Sequence, residues 1–197
     1  MITRLAFDKI TVDTISLAKH NEITADVLRL DPIDPVISGN KWFKLRYYLE
    51  EARSQKKKGI VTFGGAWSNH IIATAASCQM NGLRSIGIIR GEEPRQLSPT
   101  LLRAKEMGMQ LVFISRPDYQ SKEIPAAIQP EEYYIIHEGG YGIMGARGAS
   151  TILEHCRDNY THYCCAVGTG TMMAGIINQS KSEQKTIGIS VLKNNTG

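Results

Sequence analysis

The chain has 197 residues, 42% hydrophobic and 21% charged, with a formal net charge of +4, the make-up of a folded globular protein with room for one ordinary domain or two small ones. That balance excludes disordered, collagen-like and coiled-coil classes, and its mild, scattered charge argues against nucleic acid as a partner. No stretch approaches the roughly 18 apolar residues of a membrane span, and Met1-Ile2-Thr3-Arg4 lacks the apolar region of a signal peptide, so the default expectation is no membrane partner and a cytoplasmic location.

Short strand-like runs at 10–17 and 26–30 lead into a Pro/Asp-rich segment at 31–35. Ser38-Gly39-Asn40-Lys41 then runs straight into a helix expected over 42–57, where Leu45, Tyr48, Leu49 and Ala52 fall at i, i+3, i+4 and i+7. The basic run Lys56-Lys57-Lys58 before Gly59 is an ordinary helix stop, cations in the last turn with glycine beyond. From there strand and helix patterns alternate: strand 59–63, helix 68–80 stopped by Asn81-Gly82, strand 85–89, helix 99–107, strand 110–114, a polar Pro-bearing segment with no element assigned, and strand 133–137. Such alternation predicts a parallel sheet with helices on its faces.

Gly139, Gly140, Gly142, Gly145 and Gly148 crowd the next passage, which reads as the connection between two lobes. A helix over 144–159, a strand at 163–167, the loop 168–171, a helix to about 180 and a strand at 186–192 follow. That leaves the second lobe two clear strands, too few for a self-sufficient sheet, so it is expected to continue or to be completed by another chain. The four cysteines, Cys78, Cys156 and the pair Cys164-Cys165, include no Cys-x-x-Cys, and the five histidines show no ligand spacing; neither a metal site nor a disulfide framework is expected, and Cys164 and Cys165 are expected as buried thiols.

Three junctions carry chemistry. Lys41 falls in the first turn of its helix, with Ser38 or Asn40 as the expected cap; the positive macrodipole there disfavours a second cation and favours a neutral amine nucleophile, whereas the bland reading is a solvated surface lysine. Gly64-Gly65-Ala66-Trp67-Ser68-Asn69-His70 puts Ser68 at an N-cap, which needs no functional explanation by itself. Ser, Asn and His in a row after paired glycines also suit a carboxylate and a hydroxyl or phenolate acceptor. Gly168-Thr169-Gly170-Thr171 between a strand and a helix offers free N–H groups and two hydroxyls, a cup for a phosphate dianion, unless it is merely a tight turn. It is not a P-loop, and Met173 and Lys193 stand where a dinucleotide site needs a small residue and an acid, which disfavours an NAD(P)-binding protein. An amine nucleophile, a carboxylate-binding helix start and a monophosphate cup together meet the needs of pyridoxal 5'-phosphate with an amino-acid substrate.

Ser38-Gly39-Asn40-Lys41 with Lys44-Leu45, then Gly64-Gly65 with Ser68-Asn69-His70, then the Thr-Gly-Thr loop, resembles the 1-aminocyclopropane-1-carboxylate deaminase and D-cysteine desulfhydrase family from about residue 11 to the chain end. These are pyridoxal-phosphate enzymes of the tryptophan-synthase-β-like fold type II. The resemblance implies an α/β fold of two lobes, each a parallel or mostly parallel sheet flanked by helices: a small domain at 44–143 inserted in a large one at 1–43 and 144–197, incomplete at its C-terminal end. It implies Lys41 as the Schiff-base lysine and general acid/base, and Asn69 on the pyridine 3′ oxygen. Ser68, Asn69 and His70 would be at the substrate, with Ser68 and His70 receiving its carboxylate, and Gly168, Thr169, Gly170 and Thr171 on the cofactor phosphate. Family members carry a Lys-Arg-Asp/Glu-Asp-like stretch where this chain reads Leu28-Arg29-Leu30-Asp31. Their longer C-terminal part supplies the pyridine-nitrogen partner and ring-stacking aromatics, and they form homodimers. The expected activity is deamination or α,β-elimination on a small amino acid, with His70 tilting toward the desulfhydrase side; the alternative is a truncated, inactive relative that acts by binding.

Overall fold

The computed structural model describes residues 5–16, 24–157 and 159–191. Strands β1 (Thr11–Ser16) and β2 (Thr24–Arg29) form an antiparallel pair with Thr11 opposite Arg29 and Ser16 opposite Thr24. They occupy the two strand-like runs, while 17–23 lie outside the described residues. Arg29, in the stretch where the chain departs from the family pattern, bridges Asp31 at 2.8 Å and Asp13 at 3.0 Å on the surface.

The centre of the fold is a four-stranded, all-parallel sheet. Helix α1 (Lys41–Ser54) leads to β3 (Gly59–Gly64), α2 (Asn69–Met80), β4 (Arg84–Arg90), α3 (Pro99–Glu106), β5 (Met109–Ile114), α4 (Arg116–Ser121) and β6 (Tyr133–Ile136). The strand order is β5-β4-β3-β6, in register from Gly59 beside Arg84 and Tyr133. Strand alternation sends Ile60 to the side of α1 and α2, against Leu49, Ala73 and Ala76, and sends Val61 and Phe63 to the opposite side, against Ile86, Ile88 and Tyr119. All six residues of β3 are buried, as expected for a strand covered by helices on both faces.

Helix α4 lies in the segment left without an element. Its start is locally encoded, since Ser115 Oγ accepts from Asp118 N–H and a proline occupies the first turn. At six residues it is too short to show a helical period, and its Tyr119 packs edge-on against Phe63 at 6.0 Å.

The glycine-rich crossing leads into α5 (Ile143–Ser150), which gives way to a 3-10 turn at Thr151–His155 instead of running on to 159. Its glycines permit close helix packing: a Cβ on Gly148 would sit 1.8 Å from Phe43 O of α1, and one on Gly145 would sit 2.0 Å from Gly140 O. Strand β7 (His162–Val167), helix α6 (Thr171–Gln179) and β8 (Lys185–Ser190) follow, with β7 and β8 parallel. Gly175 of α6 meets Ala146 and Ala149 of α5 in the same close manner. Cys165 is buried but Cys164 is exposed, correcting the expectation of two buried thiols, because consecutive strand residues face opposite sides. Among the described residues no helix is long and apolar enough to cross a membrane.

Candidate active site

The lysine loop is shaped before any ligand is considered. Asp34 Oδ1 accepts from Val36 N–H and Ile37 N–H, both at 2.8 Å, and Gly39 takes a positive φ of 65° that brings its N–H to Leu30 O. Asn40 occupies the N-cap position of α1, yet neither its side chain nor that of Ser38 caps the helix, contrary to expectation. The Asn40 amide is used across the fold instead: its oxygen accepts from Lys41 Nζ at 2.8 Å, and its nitrogen reaches Met172 Sδ at 2.8 Å in the first turn of α6. Lys41 makes no ion pair among the described residues, and burial pulls its pKa below the usual lysine value. A cation taken from water without a carboxylate partner is disfavoured, so the neutral amine becomes accessible.

Lys44, which sequence reasoning used only as part of a motif, is a second buried lysine of this region. One turn after Lys41 on the same helix face, it is 6% exposed, and its Nζ donates to Gly139 O at 3.1 Å. Burial, then the nearby Lys41, brings its pKa down to about 8. The i, i+3 spacing of the two lysines was the available signal.

At the second junction Ser68 caps α2, its Oγ accepting from Ile71 N–H at 3.4 Å. Gly64 is required for this close fit, since a Cβ there would lie 2.9 Å from Ser68 Oγ and 2.5 Å from Ile71 Cγ1. Asn69 lines a cavity of about 590 Å³ together with Ser38, Asn40, Lys41, Thr100 and Arg103.

His70 departs from its expected place at a substrate carboxylate. Its ring is turned inward and 2% exposed, with Nε2 2.9 Å from Thr62 Oγ1. Because the Thr62 hydroxyl gives its proton to Ile136 O, Nε2 must be the donor to Thr62, which leaves Nδ1 an unprotonated, buried acceptor without a partner. Burial, reinforced by Lys41 and Lys44, lowers its pKa to about 3, so the ring stays neutral and cannot lend charge to a carboxylate.

The third junction is open. Gly170, at φ +76°, precedes α6 with no side-chain cap, and a Cβ on Gly168 or Gly170 would meet nothing within 4 Å. Thr169 Oγ1 and Thr171 Oγ1 lie 3.0 Å apart, and Gly139 packs against Thr169 so closely that a Cβ would come 2.7 Å from Thr169 Cγ2. An uncapped helix start, two hydroxyls and the buried Lys44 ammonium reached through Gly139 fit a phosphate dianion. Lys41, Asn40 and Asn69 thus share one cavity, the Asn40 contact to Met172 joins it to the cup, Ser68 supports the helix start behind Asn69, and only His70 is directed elsewhere.

An α/β fold whose desolvated lysine shares a cavity with Asn69, and whose open helix start fits a phosphate, agrees with the family that the sequence matches: the chain belongs to the pyridoxal-phosphate dependent enzyme family, whose pattern matches residues 17–196. A Thermotoga maritima protein named putative 1-aminocyclopropane-1-carboxylate deaminase is 32% identical over 162 residues, covering 76% of this chain and 52% of that protein. The Arabidopsis thaliana bifunctional D-cysteine desulfhydrase/1-aminocyclopropane-1-carboxylate deaminase is 29% identical over 163 residues, 71% of this chain and 41% of that one. The crystal structure of an ACC deaminase homologue superposes with a TM-score of 0.78 at 23% identity, over 93% of this chain and 61% of that chain, which shows the shared fold. The chain spans about half the length of the curated relatives it matches.

Proposed function

We propose that this chain carries out pyridoxal-phosphate-dependent deamination or α,β-elimination on a small amino acid, with 1-aminocyclopropane-1-carboxylate and D-cysteine as the leading substrates. The observation that carries this reading is Lys41: a desolvated amine held only by a neutral amide, one side-chain contact from an uncapped helix start. When bound, the cofactor supplies an electron sink for negative charge developing at the substrate α carbon.

The chain's own residues do the rest. Lys41 Nζ is the covalent anchor and the group that takes a proton from, or returns it to, the substrate; its lowered pKa keeps a neutral fraction for both tasks. Gly168, Thr169, Gly170 and Thr171 hold the phosphate, with Lys44 adding its charge. Asn69 orients the ring from the cavity wall, and Ser68 with the first N–H groups of α2 receives the substrate carboxylate. His70 holds the Ser68–Asn69 turn from behind through Thr62, as a positioning residue. The separate four-stranded and two-stranded sheets support a small domain at 44–143 within a larger one at 1–43 and 144–197, although residue 43 lies inside α1. Limited proteolysis tests that division, and light scattering tests the homodimer that we assign to it.

Adding pyridoxal phosphate to the purified protein is expected to produce an absorption band at about 410–430 nm that Lys41→Ala abolishes. Absence of the band overturns the reading. With the band present, incubation with 1-aminocyclopropane-1-carboxylate, D-cysteine and D-serine, with ammonia, keto acid and sulfide measured separately, identifies the reaction. A band without turnover of any amino acid favours instead a relative that acts by binding.

A further inference from the structure

On the opposite side of the four-stranded sheet, at its C-terminal edge, a second cluster takes no part in the chemistry above. A cavity of about 510 Å³ is lined by Arg90 at the end of β4, by Arg116, Tyr119, Gln120 and Lys122 in and just after α4, and by Glu138. Tyr119 is 2% exposed and contributes to the cavity wall, while its hydroxyl is buried beside the Glu138 carboxylate. Lys122 is held in the left-handed region, at φ +55°, one of two non-glycine residues at positive φ among the described residues. This conformation is costly for a residue with a Cβ, and it places the ammonium 3.7 Å over the Tyr119 ring and 3.0 Å from Glu138 Oε2.

The charge count sets the ligand. Lys122 and Glu138 neutralise one another, while Arg90 and Arg116 make no hydrogen bond or ion pair among the described residues; Arg90 lies 5.7 Å over the Tyr119 ring. Two unneutralised guanidinium groups line the space. Both are donors that carry a fixed positive charge, so the complementary ligand is acceptor-only and carries two negative charges. We propose that this cavity is a binding site for a small dianion, a phosphate monoester or a short dicarboxylate, held by Arg90 and Arg116 and separate from the phosphate cup at 168–171.

The test is an amide-resolved NMR titration of the full chain with inorganic phosphate and, separately, with succinate. Saturable shifts are expected at Arg90, Arg116, Tyr119 and Lys122, with a Kd of about 1 mM or below. The Arg90→Gln/Arg116→Gln double variant should weaken them about tenfold or more. Each single variant, Arg90→Gln and Arg116→Gln, should weaken them severalfold, and these decide the matter if the double variant loses its fold. A response to phosphate alone assigns the site to phosphate monoesters, a response to succinate alone to dicarboxylates, and a response to both to dianions at large. Shifts confined to 168–171, no saturation up to roughly 10 mM, or a double variant that titrates like the wild type overturns the proposal. None of these readouts depends on Lys41 or on catalysis, so failure here leaves the proposed activity standing.

Discussion

The two parallel sheets of this protein use the same strand-loop-helix arrangement and hold their loops in opposite ways. β3 is buried at all six positions between helices, whereas β8 is partly covered at one, with Ile187 and Ile189 45% and 55% exposed. The lysine and Ser68 loops therefore rest on a packed core. The loop proposed as the phosphate cup rests chiefly on helix-to-helix contact, with Gly175 pressed against α5 and Gly139 against Thr169. A site can thus have one wall stiffened by a sheet core and another by glycine-mediated packing of helices, and the two walls should fail differently when perturbed.

The largest difference is expected in the core. Phe63→Ala removes a ring that is 1% exposed and packed on Tyr119, and should cost about 3–5 kcal/mol in urea unfolding. A loss below about 1 kcal/mol would place the stabilising core elsewhere. Acid comes next, through His70. Its folded pKa of about 3 lies below the ordinary value of 6.5, so between those values the unfolded state binds a proton that the folded state refuses. Stability from this group is complete above pH 6.5 and declines as pH falls toward 3, with a slope approaching 1.4 kcal/mol per pH unit. Unfolding measured from pH 7 to 4 checks this, and His70→Gln should flatten the slope.

On the cup side, Gly139→Ala forces a Cβ into a left-handed position, costing about 1–2 kcal/mol from the backbone alone, and pushes on Thr169. Cofactor affinity, followed by absorbance titration, should fall about tenfold or more, a 1.4 kcal/mol effect, while the four-stranded sheet keeps its protection from hydrogen exchange. The smallest effect is expected for Ile187→Ala on β8, within about 0.5 kcal/mol because the side chain is already half in water. A cost comparable to that of Phe63→Ala would mean that the face is covered in solution.

Local sequence determined most of the element order. The spacing of Leu45, Tyr48, Leu49 and Ala52 gave α1, apolar runs flanked on one side or both by glycine gave β3 to β5, and Ser68 was readable as a cap because capping is decided within three residues. The three loops with Lys41, Asn69 and Thr169 were readable for the same reason: amine, amide and hydroxyl groups at helix starts are short-range signals. Other features depended on partners far along the chain. Asn40 turned from capping to Met172, Lys44 found Gly139 O, His70 turned to Thr62, and α5 ended early where glycines bring it against α1 and α6. Desolvation decides these choices: whether a lysine, amide or imidazole is buried, and which acceptor remains to it, depends on groups brought beside it only when the sheet and helices close. That is why the lysine loop could be singled out from its own residues, while the neutral His70 ring and the Arg90–Tyr119 cavity emerged only in the folded chain.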